Sequence, residues 1–271
     1  MKKYLIKIFI VLVVILAAVY AHDKFWKTDK IQVVKVESTV ENDNAKLKIV
    51  FPKRNEQERY LPIKLQFRVE GFPLKINSDF ERKDALYNYD YGQSIHVMVD
   101  NKPYFPVVQQ RVDPNNDEAD YYQAFYEATL DGPLSSGPHV IRAFLARSYG
   151  ESLKNDQTFD SIVFYYKTKK KTLSLNKPYL TFNEPSTKVV YQSHKPILLD
   201  FIIKNTELST DGYKVKLSID HKNVRYLSEE APYFIYGLAK GSHLIDLQLV
   251  DGKGRPVSGS FNSVKKVIKV E

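Results

Sequence analysis

The sequence predicts an all-β protein: two tandem antiparallel β-sandwiches behind an N-terminal hydrophobic helix. Three observations carry that expectation. They are an internal repeat, runs of apolar residues with a period of two, and a composition rich in strand-forming aromatics. Tyr (19) and Phe (15) far outnumber Met (2) and Trp (1) in the 271 residues, and large aromatics favour pleated, half-buried surfaces.

The repeat comes first, because it sets the architecture. Residues 62–69 (PIKLQFRV) match residues 196–203 (PILLDFII), residues 99–102 (VDNK) match 219–222 (IDHK), and residues 137–141 (GPHVI) match 241–245 (GSHLI). From the histidine onward the copies run without a gap, so that Gly150 falls on Gly254, Val163 on Val267 and Tyr166 on Val270. Three matched blocks in one order define two copies of a single unit.

Each block reads as a strand. Ile63, Leu65, Phe67 and Val69 alternate with Lys64, Gln66, Arg68 and Glu70, the pattern of a half-buried strand. Ile95, Val97 and Val99 alternate likewise. His139, Ile141, Ala143 and Leu145 share one face, as do His243, Ile245, Leu247 and Leu249, and Ile162, Phe164 and Tyr166 form a closing strand. Gly, Pro, Asn and Asp clusters separate these runs. About seven short strands per unit indicate a sandwich. The first unit is expected over 31–166 and the second over 172–271. The Lys-rich stretch 167–171 between them reads as an exposed, protease-sensitive linker leaving two separable units.

Residues 1–30 read as a targeting segment. Lys2, Lys3 and Lys7 precede an unbroken apolar run from Ile8 to Ala18, and Val19-x-Ala21 is an acceptable cleavage site. Tyr20, Lys24, Phe25, Trp26 and Lys27 would equally form the interfacial collar of an uncleaved anchor. Both readings, signal peptide and inner-membrane anchor over 8–21, place the body outside the cytoplasm, in the periplasm or at the cell surface. The membrane is then a partner only if the segment is retained.

Composition excludes several classes. The formal net charge is +8, and the three lysines of the targeting segment leave only +5 on the rest. So modest and dispersed an excess is a solvated surface, and no nucleic-acid partner is expected. The chain has no cysteine, hence no disulfide, zinc thiolate, thiol nucleophile or lipid-attachment thiol.

With its Gly-x-His-x-Ile pattern opening a late strand, each unit resembles the tandem immunoglobulin-like or fibronectin type III-like domains of exported bacterial proteins. That resemblance implies the fold and the compartment. It names no function, because the architecture hosts adhesive, ligand-binding and structural roles alike.

The copies differ in their loops. From Leu74 to Asp100 there are 26 positions, against 12 from Leu208 to Asp220, so the first unit gains 14 residues. From Asp100 to His139 there are 39, against 23 from Asp220 to His243, a gain of 16. Both insertions are rich in tyrosine and acid, and alternate loops emerge together in this topology. The end they would share with the loop 147–158 is the expected recognition surface, carrying Tyr87, Tyr89, Tyr91, Tyr121, Arg147, Tyr149, Glu151 and Lys154. The competing reading is that the tyrosines pack their own loops onto the sandwich. The sheet face with Arg142 and Phe144, where the second copy has Asp246 and Gln248, is the next candidate.

Metal and catalytic chemistry have their own candidates. Asp113, Asn115, Asp117 and Asp120 place oxygen ligands at calcium-loop spacing, although Glu118 stands where such a loop turns on glycine. A solvated acidic loop is the other reading. His22 would become an amino-terminal copper chelator if cleavage follows Ala21. The hairpin 241–261 loosely resembles the last hairpin of small periplasmic copper-carrier sandwiches, but Lys253 stands where that family places its histidine. His139 and His243, at equivalent strand starts, are expected to bond a turn. Arg142, Arg147, Glu151 and Lys154 would form a surface salt-bridge cluster or an anion site, with Asp246, Asp251, Arg255 and Ser258 as their unlike counterparts. No nucleophile elbow, zincin helix, phosphate loop or dinucleotide fingerprint is present. The expected function is therefore an exported, non-enzymatic binding or structural module for a protein or glycan partner, with no cofactor. A calcium- or copper-dependent binding protein and a sandwich-fold glycan hydrolase are the alternatives.

Overall fold

The computed structural model describes residues 31–39, 43–111 and 123–271. The expected targeting segment with His22, the calcium-loop candidates Asp113, Asn115, Asp117 and Asp120, and Tyr121 lie outside the described residues. Among the described residues no helix is long and apolar enough to cross a membrane.

Strand β1 (Gln32–Lys35) comes first among the described residues. The first sandwich follows, with β2 (Lys46–Phe51), β3 (Gln57–Glu58), β4 (Ile63–Glu70), β5 (Ser94–Val99), β6 (Phe105–Val107), β7 (Gln123–Leu130), β8 (Gly137–Ala146) and β9 (Phe159–Tyr166). One sheet has the order β2-β4-β7 and the other β3-β9-β8-β5-β6. The only α-helix among the described residues, α1 (Arg82–Ala85), is a single turn inside the first insertion.

The second sandwich repeats this order with β10 (Tyr179–Glu184), β11 (Val190–Tyr191), β12 (Ile197–Lys204), β13 (Lys214–Ile219), β14 (Asn223–Leu227), β15 (Tyr233–Tyr236), β16 (Gly241–Val250) and β17 (Ser263–Val270). Its five-stranded sheet is β11-β17-β16-β13-β14, and β15-β12-β10 form the core of the other. In both copies the first strand switches sheets at a proline. β2 and β10 end at the cis bonds Phe51–Pro52 and Glu184–Pro185, and β3 and β11 then pair in parallel with β9 and β17.

The alternating residues fill the cores as their period requires. Ile63, Leu65, Phe67 and Val69 face Ile95, Val97, Val99, Ile141 and Phe164 in the first core. Leu199, Phe201, Ile203, Leu217, Ile245 and Leu247 are their counterparts in the second. The histidines lock equivalent turns. Asp100 and Asp220 hold left-handed backbone (φ 54° and 51°). Each accepts from its histidine Nδ1 at 2.7 Å with one carboxylate oxygen and from the next backbone N–H (Val140, Leu244) with the other.

One boundary moves. β1 does not belong to the first sandwich but pairs antiparallel with β15, Gln32 opposite Tyr236 and Lys35 opposite Tyr233, as the edge of a four-stranded sheet in the second. Over the described residues the chain thus starts on the second sandwich, leaves it through residues 36–39 for the first, and returns through the exposed stretch 167–171.

Candidate functional site

The outer face of the β5–β8 sheet does not meet solvent. All six residues of β5 are buried, and so are Arg142 and Phe144 on β8. A strand buried on both faces needs a second layer, and here that layer is the other sandwich. Met98, Tyr104 and Phe144 pack on Ile202 of β12. The ring of His96 stacks on Tyr104, with centroids 3.8 Å apart and planes 11° from parallel.

A buried polar network spans this junction. Asn183 on β10 is its hub: its amide donates to the Gly150 carbonyl at 2.6 Å and to Asp200 Oδ2 at 2.7 Å. Its Oδ1 accepts from His96 Nδ1 at 2.8 Å, which fixes the tautomer with the proton on Nδ1. Burial, opposed by the bond to Asn183, drives the His96 pKa down to about 3, so the ring is neutral. Asp200, fully buried on β12, also takes the Ser152 hydroxyl and the Lys154 ammonium, both at 2.7 Å.

Glu184, at the end of β10, accepts from three tyrosines. Tyr89 and Tyr104 reach Oε1 at 2.9 and 2.7 Å, and Tyr191 reaches Oε2 at 3.2 Å. Burial pushes its pKa up to about 7 against the pull of Lys266 and the hydroxyls. Lys266 is itself pushed down to about 8 by burial, and its Nζ donates to the Asn183 and Pro185 carbonyls at 2.6 and 3.1 Å. Gly150 is required where it stands. Its φ is +91°, and a Cβ there would lie 2.7 Å from Glu184 Oε1.

The segment joining β1 to the first sandwich is clasped by the same loops. Glu151 accepts from the Thr39 N–H and hydroxyl, both at 3.0 Å, and from Arg82 Nη1 at 2.9 Å. Arg147 donates to Thr39 Oγ1 and lies over the Phe80 ring at 4.3 Å. Arg142 donates to the Leu180 carbonyl, Thr181 Oγ1 and the Asp100 carbonyl, with its guanidinium 4.3 Å from the Phe261 centroid.

These placements correct the expected recognition surface. The loops 71–93 and 147–158 do share one end, as the spacing implied: Ser78 N–H bonds Ser148 Oγ and Tyr89 N–H the Ser148 carbonyl. But that end is covered. Tyr89, Arg147, Tyr149 and Glu151 are buried, and Tyr91 and Lys154 are partly buried. Arg142, Arg147, Glu151 and Lys154 are no surface cluster and offer no free anion site. They bind the second sandwich and the β1 connection, and the Arg142–Phe144 face is an internal interface. Asn183, Asp200, Glu184 and Lys266 escaped the sequence reading. The signal was there: β12 reads ILLDFIIK, an apolar run without alternation around one acid, the mark of a strand buried on both faces.

Of the eight residues, Tyr87 alone among those described is exposed as a large side chain, at 44%. It stands in a groove of about 550 Å³ between the two sandwiches. Lys83, Asp84, Leu86 and Asn88 of the first insertion form one wall, and Val190, Tyr191, Gln192, Lys195, Pro196 and Glu271 the other. Among the described residues no group of three or more His, Cys, Asp or Glu side chains is placed to hold a metal ion.

No family model matches the chain, and no curated protein sequence matches it. Among solved structures it is similar to the fibronectin(III)-like modules of CbhA from Clostridium thermocellum, at 14% identity over 83% of this chain and 94% of that one, with a TM-score of 0.27. It is similar to SGBP-B of the Bacteroides ovatus mixed-linkage glucan utilization locus, solved with a mixed-linkage heptasaccharide: 14% identity, 85% of this chain, 48% of that one, TM-score 0.20. Latent PorU of Porphyromonas gingivalis gives 10% identity over 90% and 21%, TM-score 0.28. The strand order, rather than these overlaps, defines the class: the chain is a tandem β-sandwich protein of immunoglobulin-like and fibronectin type III-like architecture.

Proposed function

We propose that the protein is an exported, non-enzymatic binding module whose two sandwiches, locked together, present the groove at their junction to a protein or glycan of the cell envelope. The observation that carries this reading is Tyr87. Arg142, Arg147, Glu151 and Lys154 are engaged at the interface, whereas Tyr87 projects into an open groove of about 550 Å³, within the volume range of ligand sites. Its ring is held by its neighbours and loses little freedom on contact. The basic and apolar N-terminal segment supports the extracytoplasmic part.

Two measurements test it. Full-length protein and Tyr87→Ala are used to pull partners from envelope extracts, with thermal melting as the control for folding. The variant is expected to melt within about 1 °C of the parent, since an exposed substitution costs little, and to lose the partner. A Tyr87→Ala protein that keeps every partner overturns the site. Intact-mass analysis of the native protein is expected to give either the full chain in the membrane fraction or a start at His22, and a soluble full-length cytoplasmic protein contradicts the export.

A further inference from the structure

Resting on the binding-module reading, we infer that the groove at the sandwich junction is a binding site for a neutral oligosaccharide, with Tyr87 as its stacking platform. A sugar ring offers an apolar C–H face and a rim of hydroxyls, so its site needs an exposed aromatic face beside polar groups that are not already engaged.

The groove has both. The Tyr87 ring packs edge-on against Tyr89 and Tyr191, with centroids 5.0 and 6.4 Å away and planes at 74° and 66°. Those two rings are fixed by their hydroxyl bonds to Glu184, so Tyr87 is braced from behind while its outer surface stays open. Around it, Asp84, Gln192, Lys195 and Glu271 line the groove, and among the described residues their side chains make no hydrogen bond or ion pair. They are the donors and acceptors a hydroxyl rim uses.

Charge selects among ligands. Lys83 and Asp84 lie on one wall and Lys195 and Glu271 on the other, so the side-chain charges of the lining balance. A polyanion would need a lining of one sign, and an apolar peptide would need a continuous apolar floor. The groove opens to solvent, which suits one or more units of a chain that extends past it better than a small molecule buried on most of its surface. Because one wall comes from each sandwich, the site exists only in the docked arrangement. Its central ring comes from the insertion that the second copy lacks.

The test is electrophoresis of the full chain through native gels containing one soluble polymer at a time: β-glucan, xylan, galactomannan or dextran, with dextran sulfate as the anionic control. Retardation by at least one neutral polymer is expected. Tyr87→Ala is expected to weaken it at least tenfold, Gln192→Ala less, and Tyr87→Trp is expected to keep it, with melting curves of all three close to the parent. Retardation by none of the four, by dextran sulfate alone, or unchanged in Tyr87→Ala overturns the assignment. If Tyr87→Ala then still loses a protein partner in the envelope pull-down, the groove is a binding site of another class. If it loses none, both readings fall.

Discussion

At His139 both ring nitrogens face acceptors, Asp100 Oδ2 and the Ser135 carbonyl, each at 2.7 Å. Only the imidazolium satisfies both, and the bond to Asp100, working against burial, raises the pKa above its ordinary value. A raised pKa stabilises the fold below the unfolded value of about 6.5 and ceases to do so as pH rises through the folded value. His139→Gln is therefore expected to cost about 1–2 kcal/mol at pH 5.5 in urea unfolding, near the net worth of hydrogen bonds to charged groups, and less at pH 9. A cost independent of pH would contradict the charged form. His96 has the opposite sign. Buried and neutral, with a pKa of about 3, it makes the fold lose stability as pH falls below about 6.5, where only the unfolded chain takes the proton. Between pH 6 and 4 the parent should lose about 2 kcal/mol more than His96→Gln, a tenfold change in proton concentration being worth about 1.4 kcal/mol once the unfolded ring is charged. Groups titrating alike in both proteins cancel, so equal acid slopes would refute the assignment.

Most elements were legible because two signals agreed at each. Residues 62–69 and 196–203 fall on β4 and β12, and the Gly-x-His pairs open β8 and β16, where period-two alternation and the repeat coincide. What was not legible involves elements with only one face specified. The four residues of β1, QVVK, suit any sheet edge, and nothing local names β15 as its partner. The insertion tyrosines read equally as contact residues or as filling. Tyr89 became filling because its hydroxyl reaches Glu184, 95 residues away in sequence, and Tyr87 stayed outside. The β1 assignment has a direct consequence. Deleting residues 32–35 from the full chain would uncover the β15 edge and the side of the second core that Val33 covers. Hydrogen exchange should then quicken at the amides of Tyr233–Tyr236, while β4 and β8 keep their protection. Faster exchange confined to the first sandwich would return β1 to the unit in which the sequence placed it.

For the molecule as a whole, the repeat suggested two independent bodies, and the structure joins them. Lys167, Lys169, Lys170 and Lys171 are exposed, so the stretch is where trypsin is expected to cut. Separable fragments do not follow, because the junction is built like a core. Parting it would uncover Met98, Phe144 and Ile202 and would strand Asn183, Asp200 and Glu184 without several of their partners. The cost is the apolar surface uncovered together with each hydrogen bond exchanged for water, about 0.5–1.5 kcal/mol net for a neutral pair and about 1.5–3 kcal/mol where one partner is charged. Trypsin should therefore cut near Lys167–Lys171 and leave two polypeptides that elute together at the size of the intact protein. Arg142 is the residue to change in testing why. It is 2% exposed, and it binds carbonyls from both sandwiches, Leu180 on one side and Asp100 on the other, while covering Phe261. Arg142→Ala leaves those carbonyls dry and unpaired, at a cost of about 3 kcal/mol, and removes the cation from the ring. The nicked variant is expected to separate in a urea concentration at which the nicked parent stays whole, with each fragment still giving a β-type circular dichroism spectrum. If the nicked parent itself falls apart in plain buffer, the two sandwiches are beads on a linker, and a groove walled by both of them cannot be a standing binding site.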